Sequence, residues 1–426
     1  MLTVVQAPTS SSALEVSRAT LVTTLDRAKY VMPTRFPKPI LQCVHLETAN
    51  NWLRVRATDG DLALFTQMPV DGELPACVVP FAELTRRLKG SKHPTCGLAL
   101  SADGEQLVIN GGRVGHTLHT LPVEEFPPVD DAYVGHTVTI DAAELVAASR
   151  IANLAVAKEA SRYAIDGVLL ESDTKGTRLV ATDGRRLVVV GLHVAEGEFT
   201  GRAILPGRFV RLIEKLTDKH TDYLVLAVAR HTTEKGEEVP GHLFAAGPDW
   251  LLSTYEPEGH FPLYQDVVPQ SESKFAINRD ALVELLSEVA LATSDDSRMV
   301  RVDLSPQQVR LSAAAPGIGE SSAVLPAKFL GGGDAVIHTA FNPAYLLDAL
   351  KSLTGATVVI DVAQNGYGCD HTVFGKPVLI YTEHDPVTRW VVMPVTAGLA
   401  VTPENLGSNF PKELEDEAES ASGGCP

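Results

Sequence analysis

The chain has 426 residues, 45% of them hydrophobic and 21% charged, with a formal net charge of −17. That length suits two to four domains, and the acidic balance argues against coating nucleic acid by bulk attraction, though not against a local basic lining on an acidic body. No apolar run approaches the roughly 18 residues of a membrane span, no basic segment followed by an apolar core opens the chain, and the five cysteines (Cys43, Cys77, Cys96, Cys369, Cys425) form no C-x-x-C pair, so the composition predicts a reducing, cytoplasmic protein without disulfide framework or zinc knuckle.

Residues 1–13 are polar and rich in Ser and Thr, and read as a frayed extension. Ser17 then caps a helix with Leu21, Val22, Leu25 and Ala28 inward. Pro33, Pro37 and Pro39 end it. Strands are predicted at 40–47, 52–58 and 62–67, with Asp59-Gly60 turning between the last two. Gly accepts positive φ without steric cost, which suits such a turn. A strand near 76–79 leads to Pro80, a good first helical residue, with Phe81, Leu84 and Leu88 on one face of the helix. Strands at 96–100, 106–110 and 115–121 and the exit Phe126-Pro127 complete the unit.

The second unit repeats this programme. Asp141 and Glu144 make a capping-box pattern ahead of Leu145, Ala148 and Ala152. Strands at 167–172 and 177–182 lead to Ala181-Thr182-Asp183-Gly184, which repeats Ala57-Thr58-Asp59-Gly60 at a spacing of 124 residues. A strand at 201–205 leads to Pro206 and a helix with Phe209, Leu212, Ile213 and Leu216 inward. Strands at 223–230, 242–246 and 250–255 precede the exit Phe261-Pro262. In the third unit Asn278 caps a helix with Leu282, Leu285, Leu286 and Val289 inward, and Asn342-Pro343 opens another with Leu346, Leu347, Leu350 and Leu353. Its Thr-Asp-Gly turn is replaced by Ala314-Ala315-Pro316-Gly317, and a further hairpin is predicted near 366–372. The first helices start at 17, 141 and 278 and the second at 80, 206 and 342, separations of 63, 65 and 64 residues. Unrelated domains would not share both order and spacing. Residues 398–426 carry the acidic run 413–419 among Ser, Gly and Pro and read as a disordered tail.

Several stretches together resemble the bacterial DNA polymerase III beta subunit, the sliding-clamp family. They are Ala181-Thr182-Asp183-Gly184-x-Arg186-Leu187, Phe126-Pro127-x-x-Asp130-Asp131, Gly259-x-Phe261-Pro262-x-Tyr264, Phe341-Asn342-x-x-Tyr345-x-Leu347-Asp348 and Val391-Val392-Met393-Pro394. The resemblance implies an α+β chain of three tandem clamp domains, at 14–132, 136–270 and 273–397, and a head-to-tail homodimer. Helices would line the hole and antiparallel sheets form the outer wall. The function implied is processivity without catalysis, metal or cofactor: a ring linked topologically to duplex DNA slides on weak phosphate contacts. The partners implied are double-stranded DNA, the polymerase III alpha subunit, the clamp-loader delta subunit and other proteins with clamp-binding motifs, with no membrane.

Two residue sets follow. A DNA-facing set combines the stripe Arg208, Arg211, Lys215 and Lys219, which lies beside the inward face of its helix, with Arg86, Arg87, Lys89 and Lys92. Lys38 and Arg150 join it, with Lys158 and Arg162 near the end of the second unit's first helix, and the resemblance adds Arg35 and Tyr163. Arg279 and Lys351 are the third unit's basic helix residues. Such runs are otherwise solvated faces. A peptide groove between the second and third units is mapped by the resemblance to Ile165, Thr182, Gly184, Arg185, Arg186, Leu187, Pro262, Val267, Val391, Met393, Pro394 and Val395, a mostly apolar set suited to short hydrophobic tails. On spacing alone the same residues read as core packing. This chain departs from the family at Arg185 (usually His), Asp266 (usually basic), Ala82 and Glu83 (usually basic) and Thr396-Ala397, where family chains end.

Other readings are a clamp-fold paralogue with a repair or drug-tolerance role, motivated by the altered groove residues, and an enzyme using exposed carboxylates and histidines. For the enzyme no nucleophile–base or metal spacing stands out. His116 and His119, three apart in a strand, point to opposite faces. Asp295-Asp296 and Cys369-Asp370-His371 lack a third partner. Gly111-Gly112-Arg113-Val114-Gly115 is a hairpin turn rather than a phosphate loop, since no helix follows it.

Overall fold

Each helix is entered through a residue suited to its first turn. The computed structural model describes residues 14–33, 38–157, 166–197, 199–232, 238–268, 273–294, 298–332, 335–362, 377–385 and 387–395. Six α-helices lie among them: α1 (Arg18–Ala28), α2 (Phe81–Gly90), α3 (Ala142–Leu154), α4 (Gly207–Leu216), α5 (Arg279–Val289) and α6 (Pro343–Ser352). Ser17 Oγ accepts the N–H of Thr20 at 3.4 Å, Asp141 Oδ1 that of Glu144 at 2.9 Å, and Asn278 Oδ1 that of Ala281 at 2.9 Å. The capping box at Asp141 is one-sided: Glu144 Oε1 accepts the backbone N–H of His193 at 2.6 Å instead. Pro80 and Pro206 stand one position earlier than the sequence suggests. Both are extended, with ψ of 118° and 139°, and hold the cap position without a side-chain bond.

The inner faces follow the predicted periods with small rotations. Leu21, Thr24, Leu25 and Ala28 are buried on α1, Val22 only partly. Leu84, Thr85 and Leu88 are buried on α2, while α4 buries Phe209, Val210, Leu212, Ile213 and Leu216. The buried threonines turn their hydroxyls back to carbonyls one turn earlier, Thr24 to Thr20 at 3.0 Å and Thr85 to Phe81 at 2.8 Å, so burial leaves no orphan donor. None of the helices among the described residues is long and apolar enough to cross a membrane.

The chain divides into two compact units. One is Met1–Pro269 with Ser352–Gly355 and Leu379–Val392; the other is Gln270–Lys351, Ala356–Val378 and Met393–Pro426. The first holds α1 to α4 and a four-stranded antiparallel sheet ordered Leu14–Ser17, Thr95–Leu100, Gln106–Gly111, Val114–His119. It also holds a nine-stranded sheet that carries the second repeat's strands into the first's, through Glu238–Ala246, Trp250–Tyr255, Leu62–Pro69 and Trp52–Thr58. A third sheet runs Gly201–Pro206, Gly167–Asp173, Gly176–Thr182, Arg186–Leu192 and Arg389–Val392. The second unit holds α5 and α6 and a sheet ordered Thr357–Val362, Ser273–Asn278, Gly319–Gly332, Gln308–Ala315, Val300–Leu304, Ile337–Phe341. The hairpin predicted near 366–372 lies outside the described residues.

The two Thr-Asp-Gly turns are built alike. Thr58 Oγ1 donates to Leu62 O at 2.9 Å and accepts Gly60 N–H at 3.0 Å; Thr182 Oγ1 donates to Arg186 O at 2.8 Å and accepts Gly184 N–H at 3.1 Å. Asp59 Oδ1 accepts the N–H groups of Asp61 and Leu62, and Asp183 Oδ1 those of Arg185 and Arg186, all at 2.8–3.0 Å. Gly60 and Gly184 sit at φ 102° and 81°, which only glycine adopts freely. The shared tetrapeptide is thus a closed hydrogen-bonded turn.

Each turn also delivers its second strand to the same kind of neighbour. Leu62–Pro69 pairs antiparallel with Trp250–Tyr255, Thr66 opposite Trp250 and Leu62 opposite Thr254. Arg186–Leu192 pairs with Arg389–Val392, Leu187 opposite Val391 and Val188 opposite Trp390. In both cases the hairpin of one repeat meets a closing strand of the next that carries a buried tryptophan, Trp250 or Trp390.

Candidate functional site

The groove set begins at the second turn. Leu187, paired with Val391, lies with it in an apolar cluster of Leu169, Val180, Ile204, Phe261, Tyr264 and Leu379. Leu187 and Val391 are 3% and 1% exposed, so they form a floor rather than a surface. Thr182 is buried within its turn. Gly184 and Arg185 are exposed, and Arg186 is half-buried with its Nε on Asp183 Oδ2 at 3.1 Å. Pro262 is half-buried, whereas Leu263 and Val267 are 65% and 42% exposed and lie in the segment whose Phe261 and Tyr264 enter the cluster. Met393, Pro394 and Val395 continue the chain from Val392 in the second unit, half-buried, with Val395 N–H on Ala340 O at 2.9 Å. Ile165 lies outside the described residues.

Beside this cluster, on the same face of the sheet, is a polar group that the sequence reading did not single out. Glu171 sits on the middle one of three strands, with Arg178 and Arg202 as its cross-strand partners. Its side chain is 5% exposed. Arg178 Nε donates to Glu171 Oε2 at 2.8 Å and to the Tyr264 hydroxyl oxygen at 2.8 Å; Arg202 Nε donates to Glu171 Oε1 at 2.6 Å. The Tyr264 hydroxyl donates to Glu171 Oε2. Arg178 also grips Asp173, at 3.1 and 2.6 Å. Burial works to raise the Glu171 pKa, but hydrogen bonds from Tyr264, Arg202 and Arg178 outweigh it and hold the carboxyl below its ordinary range. Burial, then the Glu171 carboxylate, raises the Tyr264 phenol. The sequence signal was a lone acid following Val168-Leu169-Leu170, with an arginine on each neighbouring strand.

The DNA-facing set divides in two. On α4 and around it, Arg208 reaches back to the first repeat. It donates to Asp59 Oδ2 and lies 3.4 and 3.3 Å from the carbonyls of Tyr30 and Val31. Arg211, Lys215 and Lys219 are exposed. The Lys215 ammonium stands 5.6 Å over the Tyr30 ring and that of Lys29 4.9 Å, so three cations gather around one residue. Arg150 on α3 is exposed and pairs with Glu214 at 2.9 Å, while Lys38 is exposed. Among the described residues Arg211 and Lys215 enter no ion pair.

On α2, Arg86 and Arg87 both bind Glu83, and Lys89 binds Asp26 of α1 at 2.6 Å. Arg86 and Arg87, with Lys92, His93, Arg113 and His116, line a cleft of about 660 Å³ beside the strand Val114–His119. Arg35, Lys158, Arg162 and Tyr163 lie outside the described residues, as do Asp295, Asp296 and the Cys369-Asp370-His371 run. Arg279 is drawn to Asp280 at 2.7 Å, and Lys351 is exposed.

The chain as a whole is similar to several known proteins. A family model described as the DNA polymerase III beta subunit, N-terminal domain, matches residues 13–130, and one for the C-terminal domain matches residues 265–396; together they take in more than half of the chain. The beta sliding clamp of Vibrio cholerae is 27% identical over 386 residues, 89% of this chain and 98% of its own. That of Caulobacter vibrioides strain NA1000 / CB15N is 25% identical over 392 residues, 90% of this chain and 99% of its own. The solved C. crescentus beta sliding clamp covers 91% of this chain and all of its own, with a TM-score of 0.79 at 22% identity. The Bacillus subtilis DNA polymerase sliding clamp gives the same coverage and TM-score at 18% identity. At those identities the likeness is one of fold.

Proposed function

The chain belongs to the DNA polymerase III beta subunit family and is a replicative DNA sliding clamp, a processivity factor without catalysis, and on that premise we propose that two copies close head to tail around duplex DNA. The observation that carries this reading is the repeated handover of strands. The first repeat's hairpin meets the closing strand of the second, and the second's meets Arg389–Val392. By the same rule the third hairpin, Gln308–Ala315 with Gly319–Gly332, should meet the closing strand of a next repeat, which only another copy's first repeat can supply.

Among the described residues the two edges this requires are open. Val114–His119 ends its sheet. The first half of Gly319–Gly332 pairs with Gln308–Ala315, and only its last residues also reach Ser273–Asn278. Exposed Val114, Ile318, Val324 and Leu291 supply the apolar contacts that an unpaired edge otherwise leaves to solvent.

Within such a ring Lys38, Arg150, Arg211 and Lys215 contact the phosphate backbone without reading sequence, which allows sliding. The groove over Leu187 and Val391 receives the apolar tail of the polymerase alpha subunit, the clamp-loader delta subunit and other clamp-binding proteins in turn, and the protein works in the cytoplasm. Domain boundaries at 14–132, 136–270 and 273–397 suit three repeats. The test is retention: full-length protein loaded on nicked circular DNA should stay bound through gel filtration and be lost when the circle is cut. Equal loss from both forms would overturn encirclement.

A further inference from the structure

We propose that Glu171 is a positioning residue for the peptide groove, fixing the rim residues Leu263 and Val267 through the hydroxyl of Tyr264. The inference rests on the groove reading given above and names what sets its shape.

The rim segment, residues 261–268, has little backbone anchorage. Its backbone bonds are internal: Asp266 N–H to Leu263 O at 3.2 Å, and Val267 and Val268 N–H to Tyr264 O at 3.0 and 3.3 Å. Among the described residues no backbone hydrogen bond joins it to a strand. The segment is therefore held by side chains. Phe261 and Tyr264 enter the apolar cluster, the Tyr264 hydroxyl binds Glu171 and Arg178, and Gln265 Oε1 accepts from Arg202 at 3.5 Å.

Apolar burial alone is non-directional and would let the Tyr264 ring slide or tilt. Hydrogen bonds to a charged partner are directional and stronger than neutral ones. Glu171 supplies that direction from the same sheet face: it is buried, on a strand paired at both edges, and flanked on both sides by arginine. Leu263 directly precedes Tyr264, and the N–H groups of Val267 and Val268 bond to the Tyr264 carbonyl. The exposed rim on both sides of Tyr264 thus takes its direction from the phenol's bonds to Glu171 and Arg178, apolar burial supplying the adhesion. The two arginines neutralise the carboxylate, so a pocket for apolar side chains can sit beside a buried acid without an unpaired charge next to it.

The experiment measures binding of a fluorescein-labelled short peptide ending Leu-Phe to the full-length protein in three variants. Val267→Asp reports on the groove itself and should weaken binding at least 10-fold. Glu171→Gln and Tyr264→Phe, which keep volume and remove the charge or the hydroxyl, should each weaken it about 10-fold. They should also shift the Val267 and Leu263 methyl resonances while leaving those of Leu226, in a different sheet, unmoved. If Val267→Asp weakens binding but both other variants bind as wild type, the positioning role is overturned. If Val267→Asp has no effect, the groove reading fails and takes this inference with it. Tyr264→Phe keeps the test decisive should Glu171→Gln fold poorly.

Discussion

Asp59 holds Arg208: the carboxylate oxygen left over from the first Thr-Asp-Gly turn accepts a guanidinium nitrogen from α4, the helix that carries the second repeat's basic stripe. The side chain of Asp59 is 8% exposed and that of Arg208 42%. Asp59→Asn keeps the oxygen that closes the turn and removes the charge. It should lower stability by about 1 kcal/mol, the scale of a half-exposed ion pair, and release Arg208 towards phosphate. The logarithmic salt dependence of DNA retention should then steepen by about one unit. An unchanged slope would place Arg208 away from DNA.

Arg211 and Lys215 are exposed and enter no ion pair among the described residues, so their charge is available. Changing both to alanine should weaken DNA binding equally on all sequences and reduce the salt slope by roughly two. Melting temperature should hold, because neither side chain is part of the core. A sequence-dependent loss would argue for base reading instead.

Leu187→Ala with Met393→Ala should abolish stimulation of polymerase while leaving the dimer intact. Leu187 is a core residue, however, and emptying its site costs about 2–5 kcal/mol, so lost folding and lost binding would look alike. Leu263→Asp avoids this, since Leu263 is largely exposed. It should remove stimulation with thermal unfolding within about 0.5 kcal/mol of wild type. Full stimulation would mean that partner peptides dock elsewhere.

Leu291 is 78% exposed, the largest value among the exposed large apolar side chains of the described residues. Leu291→Asp should give monomers in light scattering at micromolar concentration, with circular dichroism unchanged. A persistent dimer would exclude this residue from the seam.

Acid should loosen the second unit through Asp303. Its Oδ1 accepts from Arg301 Nε at 2.8 Å and lies 2.7 Å from His338 Nδ1. Burial would raise its pKa, yet the His338 bond and the Arg301 charge hold it below the ordinary carboxylate value. A folded-state pKa below the unfolded one gives a stabilisation present above about pH 4 and lost as pH falls through the folded value. Asp303→Asn should therefore unfold earlier than wild type near neutrality, and the gap should close in acid. A gap independent of pH would assign the effect to packing.

The threefold programme was legible because helix periods and caps are local: Ser17, Asp141 and Asn278 each cap the helix predicted for them. The turns were legible for the same reason, since Thr, Asp and Gly close them with their own side chains and φ. Pairings across long sequence separations were not. Nothing near Leu62 announces Trp250, and nothing near Arg208 announces Asp59. Glu171 was passed over because a single acid in an apolar strand acquires meaning only when Arg178, Arg202 and Tyr264 arrive from three other elements. The groove residues divide similarly: Leu187 and Val391 read as core by spacing and as groove by resemblance, and the structure buries both in one apolar cluster with Phe261 and Tyr264.

The three turns form a graded series. The first spends its spare carboxylate oxygen on a neighbouring repeat, the second spends it on its own Arg186, and the third, Ala315-Pro316-Gly317, has no carboxylate to spend. Of the three, only the first turn ties its hairpin to the next repeat through its own carboxylate. In the ring proposed above, the third turn therefore brings no carboxylate of its own to the junction between copies.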